Sequence, residues 1–299
     1  MVRRIKFRHL DAFSAIARAG SLKRAAEQLH LTQPAISKTL KELEEIAGAR
    51  LMDRDRAGVR LTPAGDVFLQ FAEQSTNALR HGLRSVRGGG EMSGHLRIGA
   101  LPSVAGALLP TAVARFLEDA PDTLVEVQEG QHHDLTAQLR SGTLDLVVGR
   151  LGRPDTMVGL TFRQLYTEPV IVVTNPDNPA AGLTSLGDLL PCLVLYPPKQ
   201  SAIRPLVARA MISAGLPLFE TRIETTSAAF ARAFLAEHPN AVWFISRGVV
   251  QADLDTGTLV ALDLALDQTA GAVGVMSRAD EITTSAARVF SKVLTELSA

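Results

Sequence analysis

Gln33, Ser37 and Lys41 recur at four-residue spacing, with Pro34 and Lys38 beside them. Residues four apart share one face of a helix, so these side chains form a polar stripe. Amide, hydroxyl and ammonium groups in such a row can bond base edges and neutralise phosphates. Arg54, Arg56 and Arg60 follow in the segment 50–62, where they can reach phosphates or a minor groove. Arg56 lies nearest the tip of that segment, and the adjacent Asp53 and Asp55 offer local ion pairs as the competing use. For the stripe, the competing reading is the solvated face of an ordinary helical hairpin.

The flanking residues supply the elements that must hold the stripe. A first helix is expected over about Arg8 to Ala19, with Leu10, Phe13, Ile16 and Ala17 at helical spacing and Gly20 ending it. Ser21 is placed to cap a second helix that buries Ala25, Ala26 and Leu29, where small residues permit close helix approach. His30-Leu31 forms the turn. Thr32 caps a third helix that tolerates Pro34 in its first turn and points Ile36, Leu40 and Leu43 inward. Two helices joined this tightly, the second carrying the polar stripe, form a helix-turn-helix that fits a DNA major groove. Leu51-Met52 and Val59–Leu61, around a turn at Ala57-Gly58, are expected as short strands, which makes the motif winged. Ser21, Thr32, Gln33, Pro34, Ser37, Lys38, Lys41, Arg54 and Arg56 are the candidate DNA-contacting residues.

The charge distribution agrees with that partner. Lys+Arg and Asp+Glu are equal at 31 each, yet residues 1–90 carry 16 basic and 9 acidic side chains, a surplus of +7 against −7 in the remainder. A basic head on an acidic body is the electrostatic footprint of a nucleic-acid module joined to something else. At 299 residues the chain has room for two or three cores. It has no apolar run long enough to span a bilayer, and its basic start leads into an amphipathic helix, so a cytoplasmic location is expected. One cysteine, Cys192, excludes an intramolecular disulfide framework and any cysteine-based zinc cluster. His132-His133-Asp134 is read as loop and helix cap, not as a metal site, because adjacent residues point apart. No metal or cofactor is expected.

Thr62-Pro63 opens a helix running to about Arg87, about 37 Å at 1.5 Å per residue. Phe68, Phe71, Ser75, Ala78, Gly82 and Val86 form an apolar-to-small stripe broadened by Leu79 and Leu83. Such a helix needs a partner, and a second copy is expected because a helix-turn-helix commonly reads two half-sites. Gly88–Gly90 reads as a hinge. From His95 the pattern is strand, helix, strand: strands at Leu96–Ala100, Leu124–Gln128 and Leu144–Val148, with helices over about Ala105 to Glu118 and Asp134 to Ser141. A second set begins at Pro169–Thr174. Two α/β subdomains are expected, about 94–165 with 268–299 and about 166–267, following a winged helix-turn-helix at 1–62 and a linker at 63–93.

Over its whole length the chain resembles the LysR-type transcriptional regulators. The resemblance is carried by Ala25-Ala26, Leu29, Leu31–Ser37, Leu40, Leu43-Glu44, Leu51, Arg54, Leu61-Thr62, Gly65 and Leu144–Gly149. Leu22, where an aromatic is usual, and the Ile46–Arg50 turn depart from the pattern. The resemblance implies a winged helix-turn-helix head on a periplasmic-binding-protein-like α/β effector domain. It also implies a homodimer or homotetramer, contact with RNA polymerase, and a small carboxylate inducer between the subdomains. Within the family the chain is similar to regulators of protocatechuate catabolism, in the beta-ketoadipate pathway, on the texture of Val2–Gly65 and the run Val148–Arg153.

On that frame Ser103 and Val104, after the first body strand, are candidates to hold the inducer, a hydroxyl with helix-start N–H groups being suited to a carboxylate. Arg150, just past the third strand, is placed for bidentate pairing with a carboxylate. Muconate-responsive members carry an arginine there, which favours an aromatic-pathway acid. Thr226 and Ser227, before a helix near Ala228, and Lys199 and Ser201 complete the candidates; helix caps and surface ion pairs are their competing roles. A regulator of another operon with another effector is the nearest alternative. A solute-binding module is disfavoured by the basic head. An enzyme is disfavoured because no nucleophile elbow, phosphate loop or dinucleotide turn is present.

Overall fold

The computed structural model describes residues 5–55, 58–87, 94–238, 240–279 and 284–298. The expectations for Arg56, for Ala57 in the wing turn and for the Gly88–Gly90 hinge fall outside them, as do the side chains of Arg54, Ala78, Gly82, Leu83 and Val86. The chain forms two units, a head and a body, each built around its own core.

In the head, α1 (Phe7–Ala19), α2 (Leu22–Gln28) and α3 (Gln33–Ala47) precede a two-stranded wing of β1 (Met52–Asp55) and β2 (Gly58–Leu61). A long helix, α4 (Pro63–Arg87), follows. Phe13, Ile16, Ala25, Ala26, Ile36, Leu40 and Leu43 lie in one core with Leu51, Met52 and Ala72. Phe13 meets Phe68 edge-on, ring centroids 5.3 Å apart, which joins α1 to α4.

The apolar stripe expected along α4 splits in two. Phe68, Ala72 and Thr76 face the head's own core, whereas Val67, Phe71 and Leu79 are 59%, 61% and 48% exposed. Both ladders run at i, i+4 but about 100° apart around the helix, so alternating three- and four-residue steps crosses from one to the other.

The body contains two five-stranded sheets. The first has the order β4 (Leu124–Glu129), β3 (His95–Ala100), β5 (Leu146–Arg150), β12 (Gly271–Arg278) and β6 (Leu160–Glu168). Its first three strands are parallel, and β12 runs antiparallel to both neighbours. The second has the order β11 (Val260–Ala261), β7 (Val170–Thr174), β10 (Ala241–Ser246), β8 (Leu193–Tyr196) and β9 (Arg222–Glu224). Side chains alternate between faces along each strand. Leu146 and Val148 therefore join the core under α6 (Leu109–Asp119) and α11 (Ser285–Glu296), where Phe116 and Phe290 meet edge-on at 5.6 Å. Val147 faces the opposite cluster with Leu135 and Leu139 of α7 (His132–Arg140). In the second sheet Val172, Val194 and Phe244 line one core and Val173, Leu195 and Trp243 the other.

Several expected boundaries move. The single helix expected from Ala105 to Glu118 is α5 (Pro102–Ala105) and α6, separated by a turn at residues 106–108. The third body strand lies two residues later than expected, which makes Arg150 its last member. His132 and His133 open α7 and are not a loop. The nine-residue β6 extends to Glu168, so the chain leaves the first sheet three residues beyond the expected division at 165.

Gly65, in the first turn of α4, lets that helix lie against the wing: a Cβ there would stand 1.9 Å from the Leu51 carbonyl oxygen. Gly65→Ala is expected to destabilise the head by about 1–3 kcal/mol through forced separation of the two elements. Amide exchange in the full chain should then show α1 and α3 less protected by about tenfold to a hundredfold. Unchanged protection would remove Gly65 from this packing role.

Candidate functional site

The polar stripe of α3 is presented by local capping. The Ser21 hydroxyl accepts the Arg24 N–H at 3.5 Å and the Thr32 hydroxyl accepts the Ala35 N–H at 3.4 Å, each starting its helix. Ile36, Leu40 and Leu43 anchor the inner face of α3, which leaves Gln33, Pro34, Lys38 and Lys41 exposed and Ser37 half-buried. Lys41 also lies 3.9 Å from Glu45.

Three contacts fix how α3 sits in the head. Its Glu44 carboxylate accepts the N–H groups of Leu51 and Met52 at 2.8 and 3.1 Å, tying the helix to the start of the wing. His9 is buried and its Nδ1 accepts the Lys6 N–H at 3.2 Å. That bond assigns the proton to Nε2, which faces Glu42 Oε2 at 3.3 Å. The His9 hydrogen bond, together with the charges of Arg8 and Lys38, holds the Glu42 carboxyl below the usual carboxylate range.

In the body, a cleft opens between the two sheets. Pro102 and Ser103 of α5 line it, with Gln131 and His132 at the start of α7 and Arg150 at the end of β5. From the other side come Pro197, Pro198, Ser201 and Ile203 before α8 (Arg204–Ser213), Thr225 and Thr226 before α9 (Ala228–Glu237), and Trp243 to Ser246 of β10. Helices that follow parallel strands start at the strands' carboxyl ends. That rule places the N-termini of α5, α7, α8 and α9 around this one space, where their partial positive charges add to Arg150. No aspartate or glutamate is among the described lining residues.

Of the expected inducer residues, Ser103, Arg150, Ser201 and Thr226 meet at the cleft. Val104 does not: its side chain is fully buried in the core between α6 and the first sheet, and its N–H is used by the Leu101 carbonyl at 3.0 Å. Ser227 faces solvent and caps α9, accepting the Phe230 N–H at 3.1 Å, and Lys199 is exposed outside the lining. Gln131, His132, Trp243 and Ser246 line the cleft without having been singled out by the sequence. For Gln131 and His132 the available signal was their position just before a helix that follows a parallel strand.

Arg150 is only 4% exposed and already engaged. Its Nη2 donates to the Glu168 carbonyl at 2.8 Å and to the Ser246 hydroxyl at 3.4 Å, and Nη1 donates to the Thr269 carbonyl at 3.4 Å. Glu168 carries the counter-charge, with Oε2 3.5 Å from Nη2 and Oε1 accepting the Gly248 N–H at 2.7 Å. The donors of Arg150 are thus turned to internal partners from both sides of the cleft. Burial pushes the Glu168 carboxyl up despite the Gly248 N–H, the Arg150 charge and the hydroxyls of Ser103 and Ser246, which pull it down. Burial also lowers Arg150 against the pull of Glu168 and Tyr166. Both shifts favour the neutral forms, so desolvation outweighs the attraction within the pair. Tyr166 is pushed up to about 12 by burial and by the Glu168 charge.

No described helix is long and apolar enough to cross a membrane, and no group of described residues could hold a metal ion. A family model described as the LysR substrate binding domain matches residues 89–299, and one described as a bacterial regulatory helix-turn-helix protein of the lysR family matches residues 7–66. The HTH-type transcriptional regulator PcaQ of Agrobacterium fabrum is 43% identical over 280 residues, 93% of this chain and 90% of that protein. Among solved structures, full-length OxyR from Pseudomonas aeruginosa aligns with a TM-score of 0.68 at 22% identity, covering 97% of this chain and 94% of that one. Full-length CbnR complexed with its target DNA aligns with a TM-score of 0.54 at 21% identity, covering 99% and 100%. These two likenesses concern the fold, whereas the family models and PcaQ concern descent and class. The chain belongs to the LysR family of transcriptional regulators and is not an enzyme.

Proposed function

We propose that this regulator reads double-stranded DNA with α3 and responds to a small organic acid, of the kind met in aromatic-acid catabolism, held in the body cleft. One observation carries the effector reading: a cleft ringed by helix N-termini and one guanidinium, with no acidic residue in its described lining. Such a surface attracts an anion. Trp243, Phe244 and Ile245 beside the polar groups suit an apolar or aromatic frame attached to the carboxylate. Ser103, Arg150, Ser201 and Thr226 are the residues assigned to hold it. The 43% identity to PcaQ supports a protocatechuate-type operon as the regulated target.

On the DNA side, Gln33, Pro34 and Ser37 are assigned to base edges and Lys38 and Lys41 to phosphates, with Ser21 and Thr32 at helix starts where a phosphate is favoured. Arg54 and Arg56 are assigned to the wing's contacts. The exposed Val67, Phe71 and Leu79 of α4 are the face offered to a second copy, which gives the two-fold symmetry that paired half-sites require. Two such dimers form the tetramer, and the assembly works with RNA polymerase at the promoter.

Selection from random-sequence DNA with the full chain should yield a defined half-site whose preference broadens in Gln33→Ala or Ser37→Ala. Lys38→Ala or Lys41→Ala should weaken binding to all sequences alike and reduce the salt slope by about 1 each. A half-site unchanged by all four replacements would refute the role of α3. For the cleft, Trp243 is the chain's one tryptophan and serves as a built-in reporter. Titration with protocatechuate, benzoate and adipate, each against its amide, should give a saturable fluorescence change with at least one acid and none with its amide. Arg150→Gln should lose that response while keeping DNA binding. Equal responses to acids and amides would discard the carboxylate reading.

A further inference from the structure

Arg150 and Ser103 belong to the first lobe of the body, Ser246 and Gly248 to the second, and Glu168 ends the strand from which the chain crosses between them. The guanidinium and the carboxylate meet there without satisfying each other. Glu168 Oε1 is aligned on the Gly248 N–H, while Oε2, 3.5 Å from Arg150 Nη2, has no hydrogen-bond partner. Arg150 Nε, equally shut from water, has none either. A guanidinium can give a carboxylate two parallel bonds, yet Arg150 gives the Glu168 side chain neither. Its best anion is therefore not the one it holds. The neighbouring backbone prevents a simple rearrangement: at Gly248 a Cβ would stand 2.2 Å from the Ser103 carbonyl oxygen and 2.7 Å from Glu168 Oε1, so α5 and the turn after β10 are already in close contact.

We propose that Glu168 is a specificity-determining residue of the cleft, an internal competitor that a ligand must displace from Arg150 before it is held. This inference rests on the carboxylate reading of the cleft. A ligand carboxylate takes the guanidinium, and Glu168 keeps its Gly248 bond and the hydroxyls of Ser103 and Ser246. An uncharged amide of the same shape offers only a neutral acceptor, of which Arg150 already holds two, and leaves the pair in place. Because Arg150 and Gly248 lie in different lobes, the exchange removes the charge contact that links them through Glu168. Ligand charge is thereby coupled to one of the contacts between the lobes.

The test uses the full chain, Trp243 fluorescence, and two probes of one shape, benzoate and benzamide. Glu168→Gln keeps an acceptor for Gly248 and removes the competing charge. Benzoate should bind this variant at least about tenfold more tightly than the parent, in line with the coupling of close charge pairs. Benzamide affinity should be the same in both. Equal benzoate affinity in the two proteins, or no benzoate response in the variant, overturns the assignment of Glu168. Benzoate and benzamide binding alike in the parent would instead refute the carboxylate reading beneath it, so the two failures are distinct. If Glu168→Gln shows no cooperative thermal transition, Glu168→Asp decides. Its carboxylate keeps the charge but stands one methylene further back from Arg150, so benzoate should again bind more tightly, and an unchanged affinity overturns the proposal.

Discussion

Two short crossings carry the chain between the lobes of the body, and one guanidinium binds a carbonyl of each. Arg150 donates to the Glu168 oxygen at the end of the first crossing strand and to the Thr269 oxygen just before the return strand. The crossings are also bonded to one another, the Val170 N–H donating to the Thr269 hydroxyl at 2.9 Å. The hinge is thus a knot of directional bonds around a buried cation, and the relation of the two sheets depends on it. Removing one member of a buried charge pair typically costs about 3–5 kcal/mol, because the other is left uncompensated. Burial already pushes both groups toward their neutral forms, against the attraction between them.

The proposed affinity of the cleft for an anion rests mostly on topology. Four helices start beside it because each follows a strand whose carboxyl end faces the same space. On the proposed reading, Ser103 and Thr226 refine a site whose helix starts the chain path supplies. Arg150 differs, since it brings a full charge where no acidic side chain lines the described wall. It is also the one lining residue that the hinge itself holds, which places ligand recognition and lobe geometry on the same atoms.

This division explains what could be read from the amino-acid order. Ser21 and Thr32 act on N–H groups three residues away, and Ile36, Leu40 and Leu43 repeat within one helix, so the helix-turn-helix was legible from local chemistry. The buried strand around Val147 was equally plain in its unbroken apolar run. By contrast β6 has neither a regular alternation nor an apolar run, so a crossing strand near Leu165 was legible but its nine-residue extent to Glu168 was not. Glu168 could not be paired with Arg150, 18 residues away, until β12 was placed between their strands. Val104, Lys199 and Ser227 lie outside the cleft lining for a local reason: a residue beside a helix start projects toward the cleft at one helical position and toward core or solvent at the next. The α4 stripe misled similarly, because two ladders about 100° apart overlap in a pattern of three- and four-residue steps.

A well-formed Arg150–Glu168 pair would serve a regulator poorly. A switch needs two arrangements separated by only a few kcal/mol, since a ligand shifts an equilibrium no further than its differential affinity allows. Two parallel bonds in a dry site would fix the lobes in one arrangement beyond the reach of a small acid. Here burial pushes both groups toward neutrality, the carboxylate is aligned on a backbone N–H and not on the guanidinium, and one polar atom on each side lacks a hydrogen bond. These deficits make the contact weaker than a bidentate pair would be. On the proposed reading, a contact this imperfect is one that the exchange of one carboxylate for another can move.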